Sequence, residues 1–89
     1  MPVVAVPVAY RGPTQGEARI SVEASTVRQC LDAVEALHPG FAELIYDAKG
    51  ELYHFLKLFV NDEPVLPLEI DRQVDRDDEV TILAAVGGG

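Results

Sequence analysis

Glu79-Val80-Thr81-Ile82-Leu83-Ala84-Ala85-Val86-Gly87-Gly88-Gly89 closes the chain, and its reading decides the fold. From Glu79 to Val86 it alternates as a strand does. Val80, Ile82 and Ala84 fall on one face, and Thr81, Leu83 and Ala85 on the other. The strand then runs straight into Gly87, Gly88 and Gly89. A glycine has no Cβ, so its backbone passes close to other backbone without steric penalty. Four extended residues, Val86 to Gly89, reach on the order of 10–14 Å. A glycine carboxylate on such an arm suits the narrow channel of an ATP-dependent activating enzyme. Glycines alone are a weak motif, so the upstream sequence has to supply the body that carries the arm.

Working back, Leu52 to Asn61 reads as a strand with Leu56, Leu58 and Val60 toward the core. Phe55, Lys57 and Phe59 point the other way. Asn61-Asp62-Glu63-Pro64 is turn chemistry, with Val65-Leu66 after it. Residues 67–78 are acidic and irregular, with Leu68, Ile70 and Val74 expected to tuck under. Val3 to Tyr10 predicts a strand with Val4, Val6 and Val8 on one face and a bulge or unpaired position at Pro7. After the turn residues 12–16, Ala18, Ile20 and Val22 alternate with Arg19, Ser21 and Glu23, which completes a hairpin. Thr26 with Gln29 three residues on is a capping-box pattern. Val27, Cys30, Leu31, Val34 and Leu37 make the apolar stripe of a helix, with Arg28, Asp32 and Glu35 facing water. Phe41, Leu44 and Ile45 predict a short second helical segment that Asp47-Ala48-Lys49-Gly50 ends.

The order β-β-α-(α)-β-β-β gives an α+β fold of two layers. A hairpin, a crossing helix and further strands are the β-grasp topology: a mixed sheet of four to five strands packed on one main helix. Its first and last strands lie side by side in the centre. The expected organisation is a β-grasp domain over 1–86 and a flexible glycine tail over 87–89.

Bulk composition is consistent with this. The 89 residues allow one domain, and 48% apolar with 25% charged residues is ordinary globular composition. No apolar run approaches a membrane span, and no basic region precedes the N-terminal apolar residues, so a cytoplasmic protein without membrane contact is expected. A net charge of −8 argues against nucleic-acid binding and favours basic partner surfaces. The single Cys30 cannot form an internal disulfide or a four-thiolate cluster. Its place on the apolar stripe makes it a core residue. His38 and His54 are too far apart for a zinc signature. His38 reads as a helix-end residue and His54 as an exposed one. Asp75, Asp77, Asp78 and Glu79 lack the calcium-loop pattern and read as a solvated turn. No bound cofactor or metal is expected.

Along nearly its whole length the chain resembles the bacterial sulfur-carrier family of ubiquitin-like proteins. This family includes the small subunit of molybdopterin synthase and the carriers for thiazole and cysteine synthesis. The resemblance runs through Val6-Pro7 and Tyr10-Arg11, His38-Pro39-Gly40-Phe41, Gly50-Glu51-Leu52, Phe59-Val60-Asn61-Asp62-Glu63 and Asp77 to Gly89. One departure is Gly87, where relatives often carry alanine; Gly88-Gly89 reads as the diglycine. The longer segment between helix and third strand looks closer to the cysteine-synthesis and molybdopterin types.

The resemblance implies a protein co-substrate rather than an enzyme. A ubiquitin-activating-type enzyme spends ATP to convert the Gly89 carboxylate to an acyl adenylate. A sulfur donor then displaces AMP to leave a thiocarboxylate. An acceptor enzyme, such as a cysteine synthase or the molybdopterin synthase large subunit, takes the sulfur. Two alternatives share this fold and tail: a molybdopterin synthase small subunit, and a ubiquitin-like modifier conjugated through Gly89. Phe59 and Leu83, pointing away from the helix, are the expected docking residues beside Val86, Gly87 and Gly88. The competing expectation is that loop 61–74 covers Phe59 and Leu83. Arg11 matches the family's arginine and is expected to form a surface salt bridge.

Overall fold

The computed structural model describes residues 1–84. Five strands form one sheet: β1 (Val3–Ala5), β2 (Arg19–Ser21), β3 (Leu56–Val60), β4 (Glu63–Val65) and β5 (Glu79–Ala84). Their order is β2-β1-β5-β3-β4, so the last strand is central. β5 runs parallel to β1, with Val4 opposite Val80, and antiparallel to β3, with Leu58 opposite Ile82. One main helix, α1 (Val27–Leu37), and one short helix, α2 (Ala42–Ile45), accompany the sheet. This is the expected β-grasp.

The core follows from the alternation of the strands and the stripe of α1. Val4, Ile20, Leu56, Leu58, Val60, Val80 and Ile82 come from the sheet, and Val27, Cys30, Leu31 and Val34 from α1. Phe41 and Ile45, both essentially fully buried, hold α2 against them. The Gln29 amide donates to Thr26 Oγ1 at 3.1 Å, and Gln29 Oε1 accepts from the Ser25 amide at 2.9 Å. The first bond satisfies a helix-start donor that would otherwise be orphaned, and the second ties the residue before the N-cap to the same turn.

Four expectations are corrected. The first strand stops at Ala5, and Val8 lies in a 3-10 turn over Val8–Tyr10, 76% exposed. Pro7 has no amide to give the ladder, so pairing ends before it; the Val6 amide makes the last cross-strand bond, to the Ala18 carbonyl. Leu37 is exposed, because it lies roughly 70° from the centre of the buried stripe at 100° per residue. Leu68 is 99% exposed while Ile70 and Val74 are buried. It sits in a 3-10 turn over Pro67–Glu69, and three residues per turn place it on a different side from Ile70. Strand β3 begins at Leu56, later than the pattern suggests, and Leu52 pairs instead with Tyr46 in an isolated bridge.

Glu35 is not simply solvated. Its Oε1 accepts from the Ala42 amide at 2.7 Å and from the Gly40 amide at 3.2 Å. The carboxylate thus supplies acceptors for the start of α2, whose own N-cap position, Phe41, makes no side-chain cap bond. Gly40, at φ +104, makes the reversal that brings these amides back to α1.

Candidate functional site

Strand register places the side chains of the outer sheet face in rows. At one end stands Glu79, which forms an ion pair with Arg19 reaching over from its register position opposite Ala5. In the middle Ala5, Thr81, Phe59 and Pro64 lie across neighbouring strands. At the other end Leu83 lies opposite Lys57. The face is therefore polar where β5 starts and carries exposed Leu83 beside Lys57 where it finishes. Leu83 is 49% exposed and Phe59 is half-buried, so segment 61–74 does not cover Leu83. These two docking candidates share one face, one strand apart. Val86, Gly87, Gly88 and Gly89, the other candidates, lie outside the described residues.

The start of β5 is held by the turn between β3 and β4. Asn61 occupies the left-handed region at φ 56, where most side chains are strained and asparagine is tolerated. Its amide donates to the Glu79 carbonyl at 2.7 Å. Its side-chain Oδ1 accepts from the Glu79 amide at 3.1 Å, and its Nδ2 donates to Asp78 Oδ1 at 3.1 Å. Asp78 Oδ2 in turn accepts from the Asp75 amide at 2.8 Å. That backbone bond, then the Asn61 bond, holds the Asp78 carboxyl below the usual carboxylate range. The acidic turn is thus an anchor for the central strand. Among the described residues no cluster of three or more His, Cys, Asp or Glu could hold a metal ion. Both motifs in this clamp are visible in the sequence; their contact, 17 and 18 residues apart, is not.

The remaining chemistry-bearing residues have structural places. Cys30 has no exposed surface, and burial pushes its thiol up to about 11, with the Asp78 charge adding to it. A neutral, enclosed thiol is not a nucleophile at pH 7. Arg11 does not make the expected salt bridge; its Nε donates to the Val6 carbonyl at 3.0 Å. It thereby takes up a backbone acceptor where the first strand ends. Thr14, fully buried, has its hydroxyl 2.9 Å from the Glu17 carbonyl, which closes the loop between β1 and β2. His38 caps α1, donating its amide to the Val34 carbonyl at 2.7 Å, while His54 is exposed.

A small body whose last strand is central to the sheet, with exposed Leu83 near the end of that strand, fits the class of ubiquitin-like carriers. Comparison with known proteins agrees. The profile of the ThiS family matches residues 7–89, and the chain belongs to that family. It is 33% identical to the sulfur carrier protein CysO of Mycobacterium tuberculosis over 97% of this chain and 96% of that protein. CysO in the crystal structure of the Amycolatopsis orientalis BexX/CysO complex superposes with a TM-score of 0.88 at 32% identity, covering all of both chains. SAMP1 of Haloferax volcanii, 22% identical, has a TM-score of 0.79 over 99% of this chain and 98% of its own, and shows the shared fold. The near full-length relationship to sulfur carriers supports a sulfur-carrier function. No helix among the described residues is long and apolar enough to cross a membrane.

Proposed function

We propose that this protein carries sulfur as a thiocarboxylate on Gly89, serving cysteine synthesis or a related biosynthetic step. The carboxylate attacks the α-phosphorus of ATP on an activating enzyme, and pyrophosphate leaves. A hydrosulfide then attacks the acyl carbon, the C–O bond to AMP breaks, AMP leaves and the new C–S bond is the thiocarboxylate. The sulfur so held is nucleophilic and passes to an acceptor enzyme. The carrier contributes delivery rather than catalysis: once docked, its tail turns a bimolecular encounter into an effectively intramolecular one.

The observation that carries this reading is the central position of β5, whose finishing end lies beside exposed Leu83. β5 pairs with β1 over Glu79–Thr81 and with β3 as far as Ala84, so its last described residue is held in the sheet. Val86, Gly87 and Gly88 form the arm, and Leu83 with Phe59 docks the activating enzyme. The pairing of a CysO with BexX in a crystal structure supports such docking with a protein partner. The test is AMP–pyrophosphate exchange with the activating enzyme. Deleting Gly89 abolishes the exchange while stability moves by less than about 0.5 kcal/mol. Normal exchange by the shortened chain contradicts the assignment.

A further inference from the structure

A groove of about 620 Å³ lies beside the sheet edge formed by β3 and β4, bordered by the 46–55 loop and the Pro67–Glu69 turn. Its apolar lining includes Leu52, Tyr53, Val65, Leu66 and Leu68. Leu66 is 61% exposed and Leu68 99%, and Phe55, 43% exposed, stacks on Tyr53 with ring centroids 5.1 Å apart. Two exposed leucines, with exposed Phe55 stacked on the half-buried Tyr53 of the groove wall, are more apolar surface than single scattered residues explain.

The charge of this groove runs against that of the molecule. The chain has 15 acidic residues against 7 lysines and arginines. The groove reverses the ratio: Arg28 and Lys57 line it against Glu51 alone, with His54 beside them. Arg28 is engaged by Asp71 at 2.8 Å. Among the described residues neither Lys57 nor His54 is in an ion pair. An apolar trough with an unpaired lysine, on an otherwise acidic body, is complementary to a segment with apolar anchors and a carboxylate placed to meet Lys57.

The groove also borders the end of the central strand. Leu56 and Lys57, which line it, pair with Ala84 and Leu83. Neighbouring strands lie about 4.8 Å apart, so a segment seated here is held within a strand or two of the point where the tail departs. The Leu56 amide is already taken by the Tyr53 carbonyl at 3.1 Å. The edge strand β4 is three residues long and contains Pro64. An occupant therefore binds through side chains rather than by adding a strand.

We propose that this groove docks an acidic, apolar peptide segment of the enzyme that receives the tail, which aligns that enzyme's active site with the departing chain. The occupant's identity as part of the sulfur acceptor rests on the carrier reading above; binding of an acidic peptide does not.

The test is a titration of the uniformly ¹⁵N-labelled full chain, followed by amide chemical shifts. The probes are an N-acetylated peptide alternating leucine and phenylalanine with glutamate, its lysine-for-glutamate counterpart and its serine-for-glutamate counterpart. The acidic peptide shifts amides of residues 50–59 and 65–70 saturably and the lysine peptide does not. Affinity falls about three- to tenfold in Lys57→Glu and at least about tenfold in Leu68→Asp. Both side chains are exposed, so a native spectrum of each variant verifies that the fold is intact. Equal binding of the three peptides, saturable shifts confined to other surfaces, or no saturable shift with any of them would each overturn the proposal. Failure of the wild-type chain to form a thiocarboxylate removes the acceptor assignment and leaves the titration result standing. Failure of the titration removes the groove and leaves the thiocarboxylate standing.

Discussion

Replacing Asn61 by alanine tests how the central strand is anchored. The substitution acts in two ways that the structure separates. Alanine at φ 56 meets the left-handed penalty of an L-residue, which costs about 1–2 kcal/mol. It also removes the side-chain bonds to the Glu79 amide and Asp78 Oδ1. Both lie at the surface, so together they contribute about 1 kcal/mol, the low end for such bonds. The sum for Asn61→Ala is about 2–3 kcal/mol, which in a domain of this size lowers Tm by roughly 10 °C or more. Asn61→Gly keeps the φ and loses the bonds, so it costs about 1–2 kcal/mol, allowing for the added chain entropy of glycine. Urea unfolding of the three proteins at neutral pH, with m-values compared, measures both differences. The reasoning is refuted if alanine costs no more than glycine, which would mean that the left-handed backbone is not the source of the strain. A cost below about 0.5 kcal/mol for both variants would show that the clamp on β5 is not holding anything.

Cys30→Ala removes one buried sulfur and costs about 1 kcal/mol in denaturant unfolding, while thiocarboxylate formation continues; its loss in a folded variant would make Cys30 a sulfur-bearing thiol. Because burial raises the thiol from 9.0 to about 11, the neutral thiol's contribution to stability is fully present below pH 9 and is lost as pH rises toward 11. The advantage of wild type over Cys30→Ala should shrink and then reverse across that range, and parallel curves would contradict the burial argument. Phe59→Ala and Leu83→Ala preserve Tm within a few degrees and weaken binding to the activating enzyme by about 1–2 kcal/mol each, with a salt-dependent on-rate from the acidic surface. Two stable variants of unchanged affinity would refute the docking face.

How far the sequence could be read depended on whether a residue's place was set by local periodicity. Alternation in β3 and β5 identified every core residue of those strands, because register leaves only two faces to choose between. The stripe from Val27 to Val34 was legible for the same reason. Val8 and Leu68 were not, since each follows a proline that ends or diverts the regular backbone, and alternation carries no information beyond that point. Leu37 failed at the margin of a stripe, where angle alone cannot tell which side the neighbouring loop leaves open. The placement of Leu83 and Phe59 on the outer face was legible from alternation. The Asn61–Asp78 contact and the Glu35 cap on α2 were not, because both join groups across turns whose path depends on tertiary packing. The groove was hidden for a similar reason: Lys57, His54 and Leu68 come from segments that periodicity places on no common face.

The central claim is that Gly89 is the atom-bearing end of a sulfur carrier. Intact-mass spectrometry of the full chain after incubation with ATP, the activating enzyme and a sulfide donor tests it most directly. The account predicts a mass increase equal to replacement of one oxygen by sulfur, located to Gly89 by fragmentation and requiring ATP. An unchanged mass in the presence of an activating enzyme competent on another carrier would contradict it, as would sulfur located on Cys30.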